Sequence, residues 1–387
     1  MGTLDSGIPS EPVSEESTTV THPFLDLAPL SAEHFASIED RVARLMNISA
    51  SQDVVIMQGE ALLPLEGAIR GAAGPGTVAL NVITGPYGQT FGDWLRDCGA
   101  TVHDLAVPFH TAVTAEQVRT AFAEHPSIDF VSLVHAEAAT GNTNPVAEIG
   151  EVVREHGALF YLDAVASIAA EPVLPDAWGV DLCVIGAQKA MGGPAGVSAV
   201  SVSARAWERM AANPQAPRHS YLSLLDWKQR WIDGGRKALL HAPAQLEMLA
   251  LEACVDRIES EGLESLMARH ASAAAATRAG TLALGGGLTP YVHEARDAAP
   301  VATTLRAPAG TDARELVAKA LAVDPVLPLV AGGGALAGEM IRVNHYGPQA
   351  TRGVVQSSLA ALGGALAEAG FTVDLEGARK AVAAAWA

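Results

Sequence analysis

The chain has 387 residues, of which 49% are apolar and 18% are charged, so it is long enough for a large domain and a smaller one. Its formal net charge of −18 argues against binding to nucleic acid or to anionic membranes, and it has no apolar run long enough to span a bilayer. Three widely spaced cysteines without a C-x-x-C pair indicate a reduced, cytoplasmic protein with no disulfide framework, and we expect no metal site.

The predicted elements begin after a polar segment. Residues 1–21 are rich in Ser, Thr, Pro and acidic side chains, and they predict a disordered tail without a secretory signal. A helix is predicted over 31–46, where apolar residues recur at helical spacing. Strands then alternate with helices, which favours a parallel sheet covered on both faces. The predicted strands are 54–59, 78–83, 130–135, 159–163 and 182–187, with helices over 63–72, 91–99 and 146–156.

A second set of elements follows. A long helix over 243–260 is predicted to lead the chain out of the first unit. The later elements are helices over 264–283, 312–322 and 351–368 and strands over 301–306 and 340–344. We therefore expect an α/β protein with a large domain over 22–250, which would bind any cofactor, and a smaller α/β C-terminal domain over 251–387.

Three polar segments come directly after predicted strands, where parallel sheets bind their ligands. They are HAEAATGNTNPV (135–146), YLDAVAS (161–167) and GAQKAMGGPAG (186–196). Asp163 and Lys189 follow successive predicted strands, so their side chains can converge on one crevice. An enzyme that uses pyridoxal phosphate needs this pair, because the lysine forms a Schiff base with the aldehyde and the carboxylate keeps the ring nitrogen protonated.

Each of these residues has a simpler interpretation when it is taken alone. An Asp after a strand usually caps a helix, and a Lys before a loop is usually solvated. The combination of D-A-V-x-S with G-x-Q-K-x-x-x-x-P-x-G is much more specific, and over residues 36–370 the chain resembles the class V aminotransferases. The resemblance implies a fold-type I, pyridoxal-phosphate-dependent transferase with a mostly parallel seven-stranded sheet, and a homodimer with shared active sites.

The resemblance also implies roles for individual residues. Lys189 is the Schiff-base lysine, Asp163 the partner of the ring nitrogen and Gln188 a contact to the ring hydroxyl. Tyr87 fills the position of an aromatic residue that stacks on the ring, although core packing is the alternative. Arg342 clamps the substrate carboxylate through a forked pair, with a surface Arg as the alternative. Further cofactor contacts are expected from Gly59, Ala61, Thr140 and Val165, and further pocket residues are His135, Glu137, Asn344, His345 and Tyr346.

The segment MQGEALLPLEGAIRGA (57–72), together with 213–227 and 344–348, resembles the pyridoxamine–pyruvate branch of the family. Most of the family has small hydroxyl and glycine residues where this chain has Glu60, at a predicted helix N-terminus that favours anions. A carboxylate there suits the neutral hydroxymethyl group of free pyridoxal better than a phosphate. Alternatively, Glu60 swings away and only caps the helix.

The segment KALLHAPAQ (237–245) bears on the same question. The family carries a Tyr and a Thr here that reach a phosphate across a dimer interface, whereas this chain offers Ala238, His241 and Ala242. His241 can itself bind a phosphate. The expected cofactor is therefore pyridoxal 5′-phosphate, or unphosphorylated pyridoxal or pyridoxamine taken as a substrate.

The expected function is amino transfer on a small α-amino or α-keto acid of the alanine and pyruvate type. Two departures from the family pattern point to a wider substrate pocket. Gly333 stands where the pyridoxamine–pyruvate branch usually has a second Arg. Residues 23–35 lead almost directly into the first helix, without the family's entry segment. A wider pocket leaves open elimination, γ-replacement or C–C bond formation on a larger amino acid such as S-adenosylmethionine. A non-catalytic binding protein is a third hypothesis, against which the intact Lys189 argues.

Overall fold

The computed structural model describes residues 27–49 and 51–386, so the tail predicted over 1–21 lies outside the described residues. Two sheets organise this part of the chain. The strands of the first sheet are β1 (Gln52–Gln58), β2 (Val78–Ile83), β3 (Thr101–Ala106), β4 (Phe130–Val134), β7 (Leu159–Asp163), β8 (Leu182–Gly186) and β9 (Val197–Ser203). Between β4 and β7, a small hairpin is formed by β5 (Ala136–Glu137) and β6 (Asn142–Thr143).

The seven strands lie in the order β1-β9-β8-β7-β4-β2-β3. The block from β8 to β3 is parallel, while β9 pairs antiparallel with both β8 and β1. The α/β class and the mostly parallel seven-stranded sheet are thus confirmed. Because β7 and β8 are parallel neighbours, their carboxyl ends open at the same edge of the sheet.

Helices cover this sheet and connect its parallel strands. They are α1 (Ala32–Leu45), α2 (Leu62–Ala72), α3 (Pro86–Asp97), α4 (Ala115–Glu124), α5 (Val146–Glu155), α6 (Pro175–Trp178), α7 (Ala204–Ala212), α8 (Leu224–Trp227), a π-helical turn (Lys228–Ile232) and α9 (Gln245–Glu261). Local signals explain several helix starts. Ser31 accepts a hydrogen bond from the His34 N–H at the start of α1, and Thr114 and Gln117 form a capping box at α4.

The second sheet has four antiparallel strands in the order β10-β11-β13-β12. These strands are β10 (Thr289–Pro290), β11 (Ala302–Arg306), β12 (Leu329–Ala331) and β13 (Met340–Asn344). Its helices are α10 (Leu263–Leu284), α11 (Ala313–Val323), α12 (Arg352–Glu368) and α13 (Leu375–Ala385), with 3₁₀ turns at Ala295–Asp297, Gly334–Leu336 and Gly347–Gln349. A smaller α/β unit therefore follows the large one.

The two sheets have separate apolar cores. The first core extends along α9 as far as Ile258 and includes Leu266 of α10, whereas the second begins at Leu284. The boundary expected between residues 250 and 251 therefore falls within α9, whose buried face belongs to the first core. In residues 27–49 and 51–386, no helix is both long and apolar enough to cross a membrane.

Candidate active site

Lys189 lies in a tight loop that follows β8. The loop is closed by two backbone hydrogen bonds, from the Gly192 N–H to the Lys189 carbonyl (2.9 Å) and from the Gly193 N–H to the Ala187 carbonyl (2.7 Å). The half-buried Lys189 side chain places its Nζ 5.2 Å from the centre of the Tyr87 ring. The strand end and the closed loop together hold one amine at the edge of the sheet, beside an aromatic face.

Asp163 ends the neighbouring strand β7 and is buried. Its Oδ1 accepts a hydrogen bond from the Val165 N–H at 2.9 Å. Burial raises the pKa of Asp163 to about 6, against the opposing effects of the Lys189 ammonium and the Val165 N–H. The structure therefore brings a buried carboxyl and an amine together, as expected for strands that end side by side.

Glu137 adds a second buried carboxyl from the β5–β6 hairpin. Its Oε1 accepts a hydrogen bond from the Tyr87 N–H at 3.2 Å. Burial raises the pKa of Glu137 to about 8; the Tyr87 N–H and Lys189 lower it, and Asp163 raises it. Gly85 makes room for this side chain, since a Cβ at that position would overlap the Glu137 side chain. Burial and the nearby carboxylates also raise the pKa of Tyr87 to about 12.

Glu60 and Gln188 meet at the start of α2. Gln188 Nε2 donates to Glu60 Oε1 at 2.7 Å, and Glu60 Oε2 accepts from the Leu62 N–H at 2.8 Å. Ala61, the residue that precedes α2, is buried and supplies no side-chain cap. The carboxylate of Glu60 thus caps the helix and also contacts Gln188. The carbonyl of Gly59 accepts a hydrogen bond from Ser198 Oγ at 2.9 Å, which ties the end of β1 to β9.

Arg342 comes from the second sheet. It lies on β13 opposite Thr304 of β11, and both side chains face the hairpin that carries Glu137. Arg342 Nη1 donates to the Ala138 carbonyl at 3.4 Å, and Thr304 Oγ1 donates to the Thr140 carbonyl at 2.7 Å. This face of the second sheet therefore rests on the hairpin and brings a guanidinium to the same crevice as the other site residues.

Tyr346 lies close to Arg342. Burial raises the pKa of Tyr346, and the Arg342 guanidinium lowers it. The hydroxyl of Thr140, a predicted cofactor contact, donates to the Glu137 carbonyl at 3.4 Å, within the segment that joins β5 to β6.

Two predicted residues, His345 and His241, contact side chains outside this group of site residues. Side chains alternate along β13, and His345, the residue directly after this strand, continues the alternation. It falls on the face opposite Arg342, where its Nε2 lies 2.9 Å from Thr303 Oγ1. Burial lowers the pKa of His345 to about 3, so the ring is neutral. His241 is half-buried between aromatic rings, with ring centres 4.9 Å from Tyr221 and 6.4 Å from Trp227.

Two residues that contact a predicted site residue or the β5–β6 hairpin were missed in the sequence. Trp178 packs edge-on against the His135 ring at 5.4 Å, and burial lowers the pKa of His135 to about 4. Thr304 joins the second sheet to the hairpin. Neither residue belongs to a local motif, because each acts through a contact between distant parts of the chain.

Comparisons with known proteins identify the family of the chain. The model of the family described as aminotransferase class-V matches residues 13–323. The chain belongs to the class-V aminotransferase family. Among the relatives of this class-V aminotransferase is the pyridoxamine–pyruvate transaminase of Mesorhizobium japonicum, which is 35% identical over 87% of this chain and 84% of its own length.

Solved structures give the same result. The pyridoxamine–pyruvate aminotransferase from Mesorhizobium loti aligns with a TM-score of 0.86 and 32% identity, and the alignment covers 93% of this chain and 91% of that one. The alanine–glyoxylate aminotransferase from Nostoc sp. aligns with a TM-score of 0.81 and 27% identity, over 89% and 92% of the two chains. This class-V aminotransferase is therefore a fold-type I transferase that depends on pyridoxal phosphate.

The residues around the crevice fit such a cofactor. Gln188 Oε1, Glu137 Oε2 and Arg342 Nε are buried, and none has a hydrogen-bond partner among the described residues. Buried polar atoms are normally satisfied, so partners for these three are expected from a molecule in the crevice. The amine of Lys189 and the carboxyl of Asp163 supply the two groups that a pyridoxal ring requires.

Proposed function

We propose that this enzyme transfers an amino group between a small α-amino or α-keto acid, of the alanine and pyruvate type, and a pyridoxal compound held at Lys189 in the cytoplasm. The observation that carries the proposal is the convergence of Lys189, Asp163 and Arg342 on one crevice. The names of the two Mesorhizobium relatives and of the Nostoc structure support small amino and keto acids as substrates.

The roles of the residues follow from their positions. Pyridoxal phosphate, when bound, supplies a ring that accepts electrons from the substrate. Asp163 is buried next to Lys189, where its carboxylate can hold a proton on the ring nitrogen. The Tyr87 ring lies under the Lys189 amine and offers a flat surface for stacking.

The proton transfer is assigned to Lys189, whose Nζ takes the proton from the Cα atom of the substrate. Arg342 orients the substrate, because a guanidinium binds a carboxylate through two parallel hydrogen bonds. Glu137, whose pKa burial raises to about 8, is mostly a neutral carboxyl at pH 7, and its unpartnered Oε2 can donate to a substrate or cofactor oxygen.

A second part of the proposal concerns the pyridoxal compound. The carboxylate of Glu60 already accepts the Leu62 N–H at the start of α2 and lies against Gln188. A phosphate bound at this helix start would meet a negative charge and would have to replace that hydrogen bond. We propose that, besides pyridoxal phosphate, this site accepts an unphosphorylated pyridoxal or pyridoxamine as a substrate.

We also propose a homodimer. Large apolar side chains are exposed at the start of α2 and beside His241: these are Leu62 and Tyr221, with exposed fractions of 43% and 58%. Contact with a second subunit would remove these side chains from water. The elution volume and light scattering of the purified protein measure this, and a monomer over the micromolar range contradicts it.

The test of the catalytic proposal is borohydride reduction followed by mass spectrometry. We expect one pyridoxal compound attached to Lys189, and its mass tells whether it carries a phosphate. Lys189→Ala should lose the adduct and about 10²–10⁴-fold in rate, since this is the range of a general base. Lys319→Ala, an exposed lysine on α11, is the control and should keep both.

Product analysis with alanine and with larger amino acids then separates the reactions. A keto acid formed together with an aminated vitamer supports amino transfer. Release of a γ substituent, or a new C–C bond, without amino transfer would replace the proposal by elimination, γ-replacement or condensation. Larger substrates are included because the resemblance puts Gly333 where the branch has a second Arg, and a Cβ at Gly333 would meet no atom within 4 Å.

A further inference from the structure

The loop that carries Lys189 touches the loop that follows the strand of Arg342. We name them the lysine loop (residues 187–193) and the arginine-strand loop (residues 345–350). A Cβ at Gly347 would lie 2.5 Å from the Gly192 Cα, and a Cβ at Gly192 would lie 3.0 Å from the Gly347 Cα. Both glycines have positive φ, 68° for Gly192 and 48° for Gly347. The two backbones therefore meet with no side chain between them.

An arginine of α9 holds the lysine loop. Arg257 Nη2 donates to the Met191 carbonyl at 2.6 Å and to the Gly192 carbonyl at 2.9 Å. Cys254, one helical turn earlier, also donates its Sγ–H to the Met191 carbonyl at 3.3 Å. A charged donor to two successive carbonyls restricts the loop more than a single neutral hydrogen bond would.

An arginine of α10 holds the arginine-strand loop in the same way. Arg269 Nη1 donates to the Gly347 carbonyl at 2.8 Å and to the Ala350 carbonyl at 3.0 Å. Its other nitrogens form a forked pair with Glu261, at 2.6 and 2.9 Å. Glu261 is the last residue of α9, so both arginines are fixed at the junction of α9 and α10.

We propose that Arg257 and Arg269 are positioning residues that fix the distance between the amine of Lys189 and the guanidinium of Arg342, and thereby select α-amino acids over β-amino acids. In an α-amino acid the amine and the carboxylate share one carbon, so Lys189 can take the proton from that carbon, with Arg342 on the carboxylate, only at one spacing between the Nζ and the guanidinium. In a β-amino acid the two groups are one carbon further apart, so a rigid pair of loops disfavours it. The selectivity rests on the proposed function, whereas the coupling of the loops does not.

The variants for the test are Arg257→Lys and Arg269→Lys, which keep the charge and lose the planar fork. Arg205→Lys is a matched control, because Arg205 Nη2 also donates to two successive carbonyls, those of Gly157 and Ala158, at 3.2 and 2.9 Å. The first measurement is hydrogen–deuterium exchange of the protein without cofactor. Each of the two test variants should speed exchange about tenfold in both loops, while Arg205→Lys should leave both loops unchanged.

The second measurement compares alanine with β-alanine in the holoenzyme. Wild type should strongly prefer alanine, and each test variant should reduce the ratio of the two kcat/KM values about tenfold, mainly through the KM for alanine. Faster exchange confined to the loop next to the replaced arginine, or an unchanged selectivity ratio, would overturn the proposal. If wild type accepts neither amino acid, the proposed function fails, and the exchange data still decide whether the loops are coupled.

Discussion

Glu137 is a single residue whose ionisation the fold opposes. Burial raises the pKa of this carboxyl from 4.5 to about 8, so the folded protein keeps a proton that the unfolded chain releases near pH 4.5. Stability linked to this group is therefore lost as pH rises from about 4.5 to 8. We expect Glu137→Gln, which keeps the acceptor for the Tyr87 N–H, to stabilise the cofactor-free protein at pH 8 and to have little effect at pH 4.5.

Urea denaturation at the two pH values measures this difference. Glu368→Gln, at an exposed position at the end of α12, is the control and should change the denaturation midpoint little at either pH. A Glu137→Gln midpoint that is lower than wild type at pH 8 would show that the buried carboxyl stabilises the fold in its ionised form.

For individual residues, the sequence predicts part of the site. Lys189, Asp163 and Gln188 follow adjacent strands within two short motifs, so local order predicts that they lie near one another, and the structure places them so. The effect of Asp163 on the pKa of Glu137, and the contact of Thr304 with Thr140, join segments far apart in sequence. No local pattern encodes such contacts.

At the scale of elements, the start of α2 decides which pyridoxal compound fits. Glu60→Ser should raise affinity for pyridoxal phosphate about tenfold relative to pyridoxal, because it removes a charge and frees the Leu62 N–H. Fluorescence titration of the cofactor-free protein with both compounds gives the ratio.

Glu66→Ser is the matched control. It removes the same charge from α2 but breaks only the pair with Arg70, four residues further along the helix. The affinity ratio should stay at the wild-type value in this variant. An equal change in both variants would attribute the effect to net charge and would remove Glu60 from the argument.

Elements with their own capping or periodic signals were predicted closely. The helix predicted over 31–46 is α1 (Ala32–Leu45), and the one predicted over 264–283 is α10 (Leu263–Leu284). Two strands of the large sheet were not predicted. β3 is an edge strand with exposed polar residues, and β9 (VSAVSVS) alternates Ser with small apolar residues although six of its seven residues are buried. Their pairing with distant strands, more than their composition, makes them strands.

In the whole molecule, α9 and α10 connect the two apolar cores. Helical periodicity predicts α9, but it does not say that its buried residues pack with the first core up to Ile258. Only Gly262 separates the end of α9 from the start of α10. The second sheet therefore follows a helix that is packed in the first core. This arrangement, with the hydrogen bond from Arg342 to the Ala138 carbonyl, holds Arg342 beside the hairpin that carries Glu137 within one subunit.

His241 raises the question of the second subunit. It packs between Tyr221 and Trp227, and we expect it to serve the site of the partner. Lys189→Ala should inactivate the subunit that carries it, while His241→Ala should weaken the opposite site. In a hybrid dimer of these two variants, one site then keeps both an intact Lys189 and an intact His241.

Mixing the two variants after mild dissociation should therefore raise activity above the sum of the two parents, and a mixture of Lys189→Ala with Asp163→Ala is the control. Lys189 and Asp163 belong to the same site of one subunit, so that hybrid has no complete site and should stay inactive. Recovery in the first mixture alone supports a shared site. Activity equal to the sum of the parents in both mixtures would mean that His241 acts within its own subunit or has no part in the reaction.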